Sequence, residues 1–272
     1  MWGNYLRHLE KEAEQLVIGC EPRLVSIYER SYPDAIVTPF FDVISQGYRY
    51  RHFPKMQEMI KNEELEIDYA VPLASAAQFA WKTTEDVSFS GVDSLVPCPE
   101  LSEKFKKRMD AISDKPKIGI AWRSGNRSLT RSYIYSAVKH FGPFEAFKDK
   151  VDFINLQYDE CSEEIQEFED RFGIKVHTFE DVDLKKDIEA NLGIMANLDM
   201  VLSCPSAPAM FAISAGINTL VMAVADPWWL FGRKDKKIGF VRAGNVVAAE
   251  KGEDWYKIIE KTAVAIQQNL NL

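Results

Sequence analysis

The sequence predicts an α/β protein of two parallel-sheet domains facing a cleft. Three observations carry that expectation. Short apolar runs alternate with helix-length segments along most of the chain, the pattern of successive βα units. The alternation pauses at Ser113-Asp114-Lys115-Pro116 and restarts at Lys117, dividing the 272 residues into a first domain, 1–113, and a second, 114–272. The run Met200–Ala225 carries no charge, as strands covered on both faces of a parallel sheet require.

In the first domain the opening MWGNYLRHLEKEAEQ reads as an amphipathic helix. Leu16–Cys20 is a strand, Glu21-Pro22-Arg23 opens a helix to Tyr32, and Ala35–Thr38 is the next strand. The aromatic stretch Phe40–Phe53 shows no clear periodicity. Lys55–Lys61 is helical, Ile67–Val71 a strand and Ser75–Trp81 a short helix. After a looser stretch from Thr83 to Pro99, Glu100–Ile112 is a strongly charged helix.

In the second domain Lys117–Trp122 is a buried strand ending in the loop Arg123-Ser124-Gly125-Asn126-Arg127, and helical signals run on to Phe147. Val151–Leu156 is a strand leading into Gln157-Tyr158-Asp159-Glu160 and then a helix to Arg171, stopped by Gly173. Lys175–His177 is a short strand, and Asp187–Asn197 is a helix. The uncharged run beginning at Met200 has a competing reading as a membrane span, since about 20 apolar residues cross a bilayer. Its punctuation at Cys204-Pro205-Ser206-Ala207-Pro208 and Gly216-Ile217-Asn218 argues instead for strand, turn, helix, strand. Ser206 stands at the N-cap position and Pro208 in the first turn. Strand candidates at Ile238–Val241 and Val246–Val247 and an amphipathic helix over Glu253–Leu270 close the chain.

Composition is that of an ordinary globular protein, 46% apolar and 27% charged. A net charge of −8 without any basic run argues against nucleic acid as the main partner. The four cysteines, Cys20, Cys98, Cys161 and Cys204, are far apart and form no CxxC. They point to a reduced, cytoplasmic protein with neither disulfide nor zinc site. The opening lacks the basic-then-apolar layout of a signal peptide. His8, His52, His140 and His177 are scattered and form no ligand-spaced cluster.

Two Rossmann-like halves with a hinge are expected to place a ligand in the cleft between them, at the carboxyl ends of strands. Three loops of the second half are the candidates: Arg123–Arg131, Gln157–Glu160 and Ser203–Ala207. The first is neither a Walker loop nor GxGxxG, which disfavours a nucleoside triphosphate or dinucleotide. It does hold Arg123, Arg127 and Arg131, whose guanidinium forks suit phosphate oxygens, and Gly125, which admits a close backbone. A solvated basic surface is the competing reading. The turn at Ser206 opens a helix whose free N–H groups and dipole favour an anion. An ordinary βα turn is the alternative there. Trp228 or Trp229 is placed either to stack a base or sugar ring or to cap the core.

KIGIAWRSGN, VDFINLQYDEC, DVDLKKDIEANLGIMANLDMVLSCPSAPAMFAISAGI and DPWWLFG, in that order, resemble the C-terminal half of bacterial glycosyltransferases of the heptosyltransferase (family 9) type. IGCEPRLVSIYERSYPDA is similar to a segment of their first half. The versions fused behind tetratricopeptide repeats are the most similar. The resemblance spans nearly the whole chain and implies the two-domain GT-B architecture. It also implies a nucleotide-sugar donor in the second half, an acceptor in the first, and no cofactor. Carried over, Arg123, Ser124, Gly125, Asn126, Arg127 and Arg131 match the loop that receives donor phosphates. Gln157, Tyr158 and Asp159 match the loop near the nucleoside, and Trp228 is expected on the donor side. Ser203, Pro205, Ser206 and Ala207 match the turn facing the diphosphate. Helix N–H groups and arginines would stabilise the leaving diphosphate without a metal.

Two departures bear on catalysis. Many relatives carry Asp-Thr or Asp-Ser in the turn and a His along the helix, where this chain has Pro205-Ser206 and Met210. Relatives also begin with a strand and a Gly-Asp turn whose Asp is the expected general base. This sequence opens at Met1-Trp2-Gly3, inside the helix that should follow. Either the true protein is longer or this version has lost its base and the first strand's pairing. In the sequence given, the first domain is expected to lack its opening strand, and the catalytic residue is unassigned. Asp42, Asp68 and Asp93 are substitutes among which nothing selects. The resemblance implies a metal-independent transferase moving a sugar to a protein, lipid or polysaccharide. The alternative is an inactive relative that binds a nucleotide-sugar or a partner.

Overall fold

The computed structural model of the chain describes residues 3–80, 82–83, 92–125, 134–224, 241–250 and 253–272. The chain forms two compact units, residues 2–96 and 97–272.

In the first unit, helix α1 (Gly3–Glu12) precedes strand β1 (Val17–Cys20), helix α2 (Val25–Ser31) and strand β2 (Ile36–Pro39). β1 and β2 pair in parallel, Val17 opposite Ile36. A 3₁₀ turn at Pro22–Leu24 leads into α2, with Pro22 supplying the fixed φ of a helical first turn. Leu6, Ile18, Cys20, Tyr32 and Val37 pack together. The buried Tyr32 hydroxyl donates to the Gly3 carbonyl at 2.9 Å, tying the start of α1 to the end of α2.

The aromatic stretch is an antiparallel hairpin, β3 (Phe41–Ser45) with β4 (Tyr48–His52). Gln46 (φ 52°) and Gly47 (φ 78°) make its two-residue turn, the positive-φ pair that matches the twist of the strands. Gln in place of the usual Asn or Asp disguised the turn. Both strands are exposed throughout, so no buried face imposed an alternation on the sequence. Helices α3 (Pro54–Lys61) and α4 (Leu73–Ala80) follow. The run Ile67–Val71, expected as a strand, is irregular, and Tyr69 is 94% exposed. It joins no sheet among the described residues, and strand propensity without a paired neighbour does not make a strand.

The second unit opens with helix α5 (Pro99–Asp110), which packs on helix α7 (Ile188–Met195). A Cβ at Gly193 would lie 3.0 Å from the Leu101 Cβ and 3.2 Å from its carbonyl carbon, so the approach needs glycine. Asn197 donates to the Ser102 carbonyl at 2.8 Å across the same contact. The units thus divide between Val96 and Pro97 rather than at Ser113-Asp114. A break in sequence pattern marks the end of α5, whereas the packing of its buried Phe105 and Met109 decides which unit it joins.

The six-stranded sheet consists of β5 (Lys117–Ala121), β6 (Asp152–Asn155), β7 (Val176–His177), β8 (Met200–Ser203), β9 (Thr219–Ala223) and β10 (Asn245–Ala248). Their order is β10-β9-β8-β5-β6-β7, parallel throughout. Every residue of β5, β6, β8 and β9 is buried, which is why these strands read as mainly apolar runs, with Lys117 and Asp152 as paired exceptions at their amino ends. Helices α6 (Ser162–Phe172), α8 (Ala207–Ser214) and α9 (Trp255–Leu270) complete the unit. Gly173 ends α6 at φ 64°. Asp187 and Asp254 cap α7 and α9 by accepting from Ala190 N and Lys257 N at 2.8 and 3.1 Å. The expected helix running to Phe147 is reduced to 3₁₀ turns at Val138–His140 and Gly142–Phe147, while residues 126–133 lie outside the described residues. Of the expected strand at Ile238–Val241, residues 238–240 also lie outside them. Trp122, Phe141, Phe144, Phe153 and Phe168 fill the core. The uncharged run is β8, α8 and β9, and among the described residues no helix is long and apolar enough to cross a membrane.

At the amino-terminal edge of this sheet lies a buried ion pair. Lys117 Nζ donates to Asp152 Oδ2 at 2.9 Å and to the Ser113 and Lys115 carbonyls at 2.7 and 2.6 Å. Ser113 Oγ donates to Asp152 at 2.5 Å. Burial alone would raise the Asp152 carboxyl, but the bonds from Ser113 and Lys117 outweigh it and hold the pKa below the ordinary value.

Candidate functional site at the carboxyl edge of the sheet

From β5 the chain proceeds to β6 and β7 on one side, then crosses back to β8, β9 and β10 on the other. The reversal lies between β5 and β8. In an open parallel sheet the carboxyl ends of the strands at such a reversal are the usual ligand position. The β5 and β8 ends are joined by Cys204 N donating to the Ala121 carbonyl at 2.9 Å.

The β5 and β6 loops are stitched together. Gln157, itself oriented by Asn155 Oδ1 accepting from its N–H at 2.8 Å, accepts from Arg123 N at 3.2 Å. Its Nε2 donates to Asp159 Oδ1 at 2.8 Å. The Tyr158 hydroxyl lies 3.0 Å from Ser124 Oγ and accepts from Gly125 N at 3.1 Å. A Cβ on Gly125 would come within 3.3 Å of the Tyr158 ring, so the close approach anticipated for this glycine is to Tyr158.

Arg123 differs most from expectation. It is only 6% exposed. Its Nη1 donates to Asp159 at 2.5 Å, its Nε to both Glu164 oxygens at 2.8 and 2.9 Å, and its Nη2 to the Glu160 carbonyl at 2.9 Å and to Glu164. Burial opposes the charged form, yet the hydrogen bonds to Glu164 and Asp159 outweigh it and raise the guanidinium pKa. The side chain anticipated as a solvent-facing phosphate ligand is enclosed by carboxylates. Glu164, an acid of the first turn of α6 that was not among the expected site residues, also accepts from Trp122 Nε1 at 3.2 Å. Its sole sequence signal was its place at the start of a helix.

In the β8 turn Ser206 occupies the N-cap of α8 with extended backbone, but its side chain makes no capping bond. Its Oγ lies 3.1 Å from Ser203 Oγ instead, and Ser203 Oγ donates to the Cys204 carbonyl at 2.8 Å. The first-turn N–H groups therefore lack a side-chain cap, and Ala207 at their head is exposed. Pro205 is partly buried. Cys204 is fully buried, and burial, against a bond from Ser206, pushes its thiol up to about 12. The structure brings together Arg123, Ser124, Gly125, Gln157, Tyr158 and Asp159, with Ser203 and Ser206 grouped in the turn after the adjacent strand. Asn126, Arg127, Arg131 and Trp228 lie outside the described residues.

No family model matches the chain. Two solved structures superpose on nearly all of it. The glycosyl transferase family 9 protein from Veillonella parvula DSM 2008 does so with a TM-score of 0.63 at 13% identity, covering 99% of this chain and 93% of that one. The E. coli ADP-heptose lps heptosyltransferase II does so with a TM-score of 0.61 at 10% identity, covering 99% and 92%. This chain shares their fold. Identities this low establish the fold alone. Protein FlbA of Caulobacter vibrioides is 25% identical over 223 residues, 80% of this chain and 35% of FlbA. The chain therefore spans about a third of that relative.

Proposed function

We propose that the protein transfers a sugar from a nucleotide-sugar donor to an acceptor without a metal, its donor site lying at the carboxyl edge of the six-stranded sheet. The observation that carries this reading is the reversal of strand order between β5 and β8, from whose carboxyl ends the stitched β5 loop and the uncapped start of α8 follow. The fold shared with two structures named as glycosyltransferases supports it. In this reading the N–H groups at Ala207 and the main chain of Ser124 take the diphosphate, with Gly125 held beside them by its bond to Tyr158. Gln157, Tyr158 and Asp159 border the nucleoside. Charge that develops on the departing diphosphate is met by helix N–H groups already in place, which need no reorganisation. Arg123 serves as a frame for the loop, because its charge is already balanced. Asn126, Arg127, Arg131 and Trp228 remain proposed donor contacts from the resemblance.

The test is Ala207→Asp. An acid in the first turn of a helix contributes about 0.3–1 kcal/mol of stability through the dipole. Folding should therefore hold or improve, while a bound diphosphate would meet a like charge. Calorimetric titration with uridine, guanosine, adenosine and thymidine diphosphates should show one of them binding the unaltered protein and binding the variant roughly tenfold more weakly or worse. Equal binding by the variant would place the phosphates elsewhere. Binding without sugar turnover from the matching nucleotide-sugar would favour the non-catalytic relative.

A further inference from the structure

We propose that Glu164 is a positioning residue of this site, acting through Arg123 to hold the Ser124–Gly125 main chain where the nucleotide's phosphates arrive. The proposal rests on the reading of the β5 and β8 carboxyl ends as a nucleotide site.

Arg123 follows the last residues of β5, yet its guanidinium is drawn across to the β6 loop and α6. Nε, both Nη2 protons and one Nη1 proton, four of the five N–H groups, are engaged among the described residues. The fork is a rigid plane, so bonds at three of its corners fix its orientation and, through the buried three-carbon stem, restrain the backbone from which it springs. Glu164 supplies most of that grip and reads two consecutive residues of the loop, Trp122 through Nε1 and Arg123 through the guanidinium. Asp159 holds the opposite corner and is itself fixed by Gln157. The next two residues, Ser124 and Gly125, are those whose polar groups meet Tyr158. Without Glu164 the guanidinium would keep its charge and lose its anchorage.

Electrostatics and positioning predict opposite signs. Deleting a carboxylate near a diphosphate should strengthen binding if charge alone matters. Deleting the anchor of the loop should weaken it. Glu164→Gln preserves the shape of the side chain and an oxygen to accept from Trp122, and it removes the charge. The four nucleoside diphosphates and their parent nucleosides are titrated against the unaltered protein, Glu164→Gln, Arg123→Lys and the control Glu167→Gln. Glu167 lies on the same helix in a solvated pair with Arg171.

Glu164→Gln should bind the diphosphate roughly tenfold more weakly, the usual scale of a charge-assisted bond, with nucleoside affinity unchanged. Arg123→Lys, which keeps the charge and loses the fork, should show the same loss. Combined with Glu164→Gln it should add little, because both act through one device. Glu167→Gln should bind normally. Unchanged or tighter diphosphate binding in Glu164→Gln overturns the proposal. So does an equal loss for the nucleoside, which would mean that Glu164 touches the ligand directly. If Glu164→Gln does not fold, Arg123→Lys decides, and normal diphosphate binding there overturns the proposal. If the unaltered protein binds none of the four diphosphates, the nucleotide reading fails and the positioning role falls with it.

Discussion

Replacing Lys117 with methionine tests what the buried ion pair contributes. Methionine keeps most of the stem volume and removes all three donors. Asp152 keeps the Ser113 hydroxyl and His177, whose Nε2 lies 3.9 Å from its Oδ1, and the Ser113 and Lys115 carbonyls lose their ammonium partner. The two side chains are only 8% and 9% exposed, so water cannot replace the cation readily. Leaving one charge of a buried pair uncompensated costs about 3–5 kcal/mol, which for a unit of this size lowers the melting temperature by on the order of 10 °C. Thermal unfolding followed by circular dichroism measures the loss. Acidification should shrink the difference between variant and unaltered protein, because a protonated Asp152 no longer needs a cation. Adding Asp152→Leu should recover much of the loss, since a matched apolar pair often replaces a buried ion pair at little cost. A drop below about 1 kcal/mol would mean that the pair behaves as a solvated one, and a loss independent of pH would remove charge as its cause. The pair sits at the opposite end of the strands from the candidate site. At about 3.3 Å per residue the two are roughly 15 Å apart along β5, so nucleotide affinity should be unaffected.

Two further expectations concern packing and pH. A Cβ on Gly119 would lie 2.5 Å from both Leu156 Cδ1 and Leu198 Cδ1; Gly119→Ala should therefore cost about 1–3 kcal/mol by overpacking, and a neutral result in urea unfolding would show that both leucines can yield. Burial lowers the His177 pKa, with Asp152 opposing it. A folded-state pKa below the unfolded value of 6.5 means that the unfolded chain binds more protons just below that pH, so this contribution to stability is present at neutral pH and falls as the solution is acidified through 6.5. His177→Gln should flatten the melting temperature between about pH 7 and 5; an unchanged slope would assign the acid sensitivity to other groups.

The sequence by itself determined the six-stranded sheet and most helix ends. β5, β6, β8 and β9 are buried on both faces, a condition that writes an apolar run directly into the chain. Gly173, Asp187 and Asp254 end or begin helices through local backbone chemistry that needs no distant partner. The three loops of the candidate site were legible for the same reason, because each follows a legible strand. Tertiary structure alone decided the remainder. Ile67–Val71 has the residues of a strand but joins no sheet, and the exposed hairpin at 41–52 has no buried face to order its pattern. α5 joined the second unit through Gly193 and Asn197, about ninety residues away in the chain. The role of Arg123 was decided by Glu164, on another element. A guanidinium looks the same in sequence whether it faces solvent or two carboxylates, and only the approach of α6 to Trp122 and Arg123 after β5 determines which it meets.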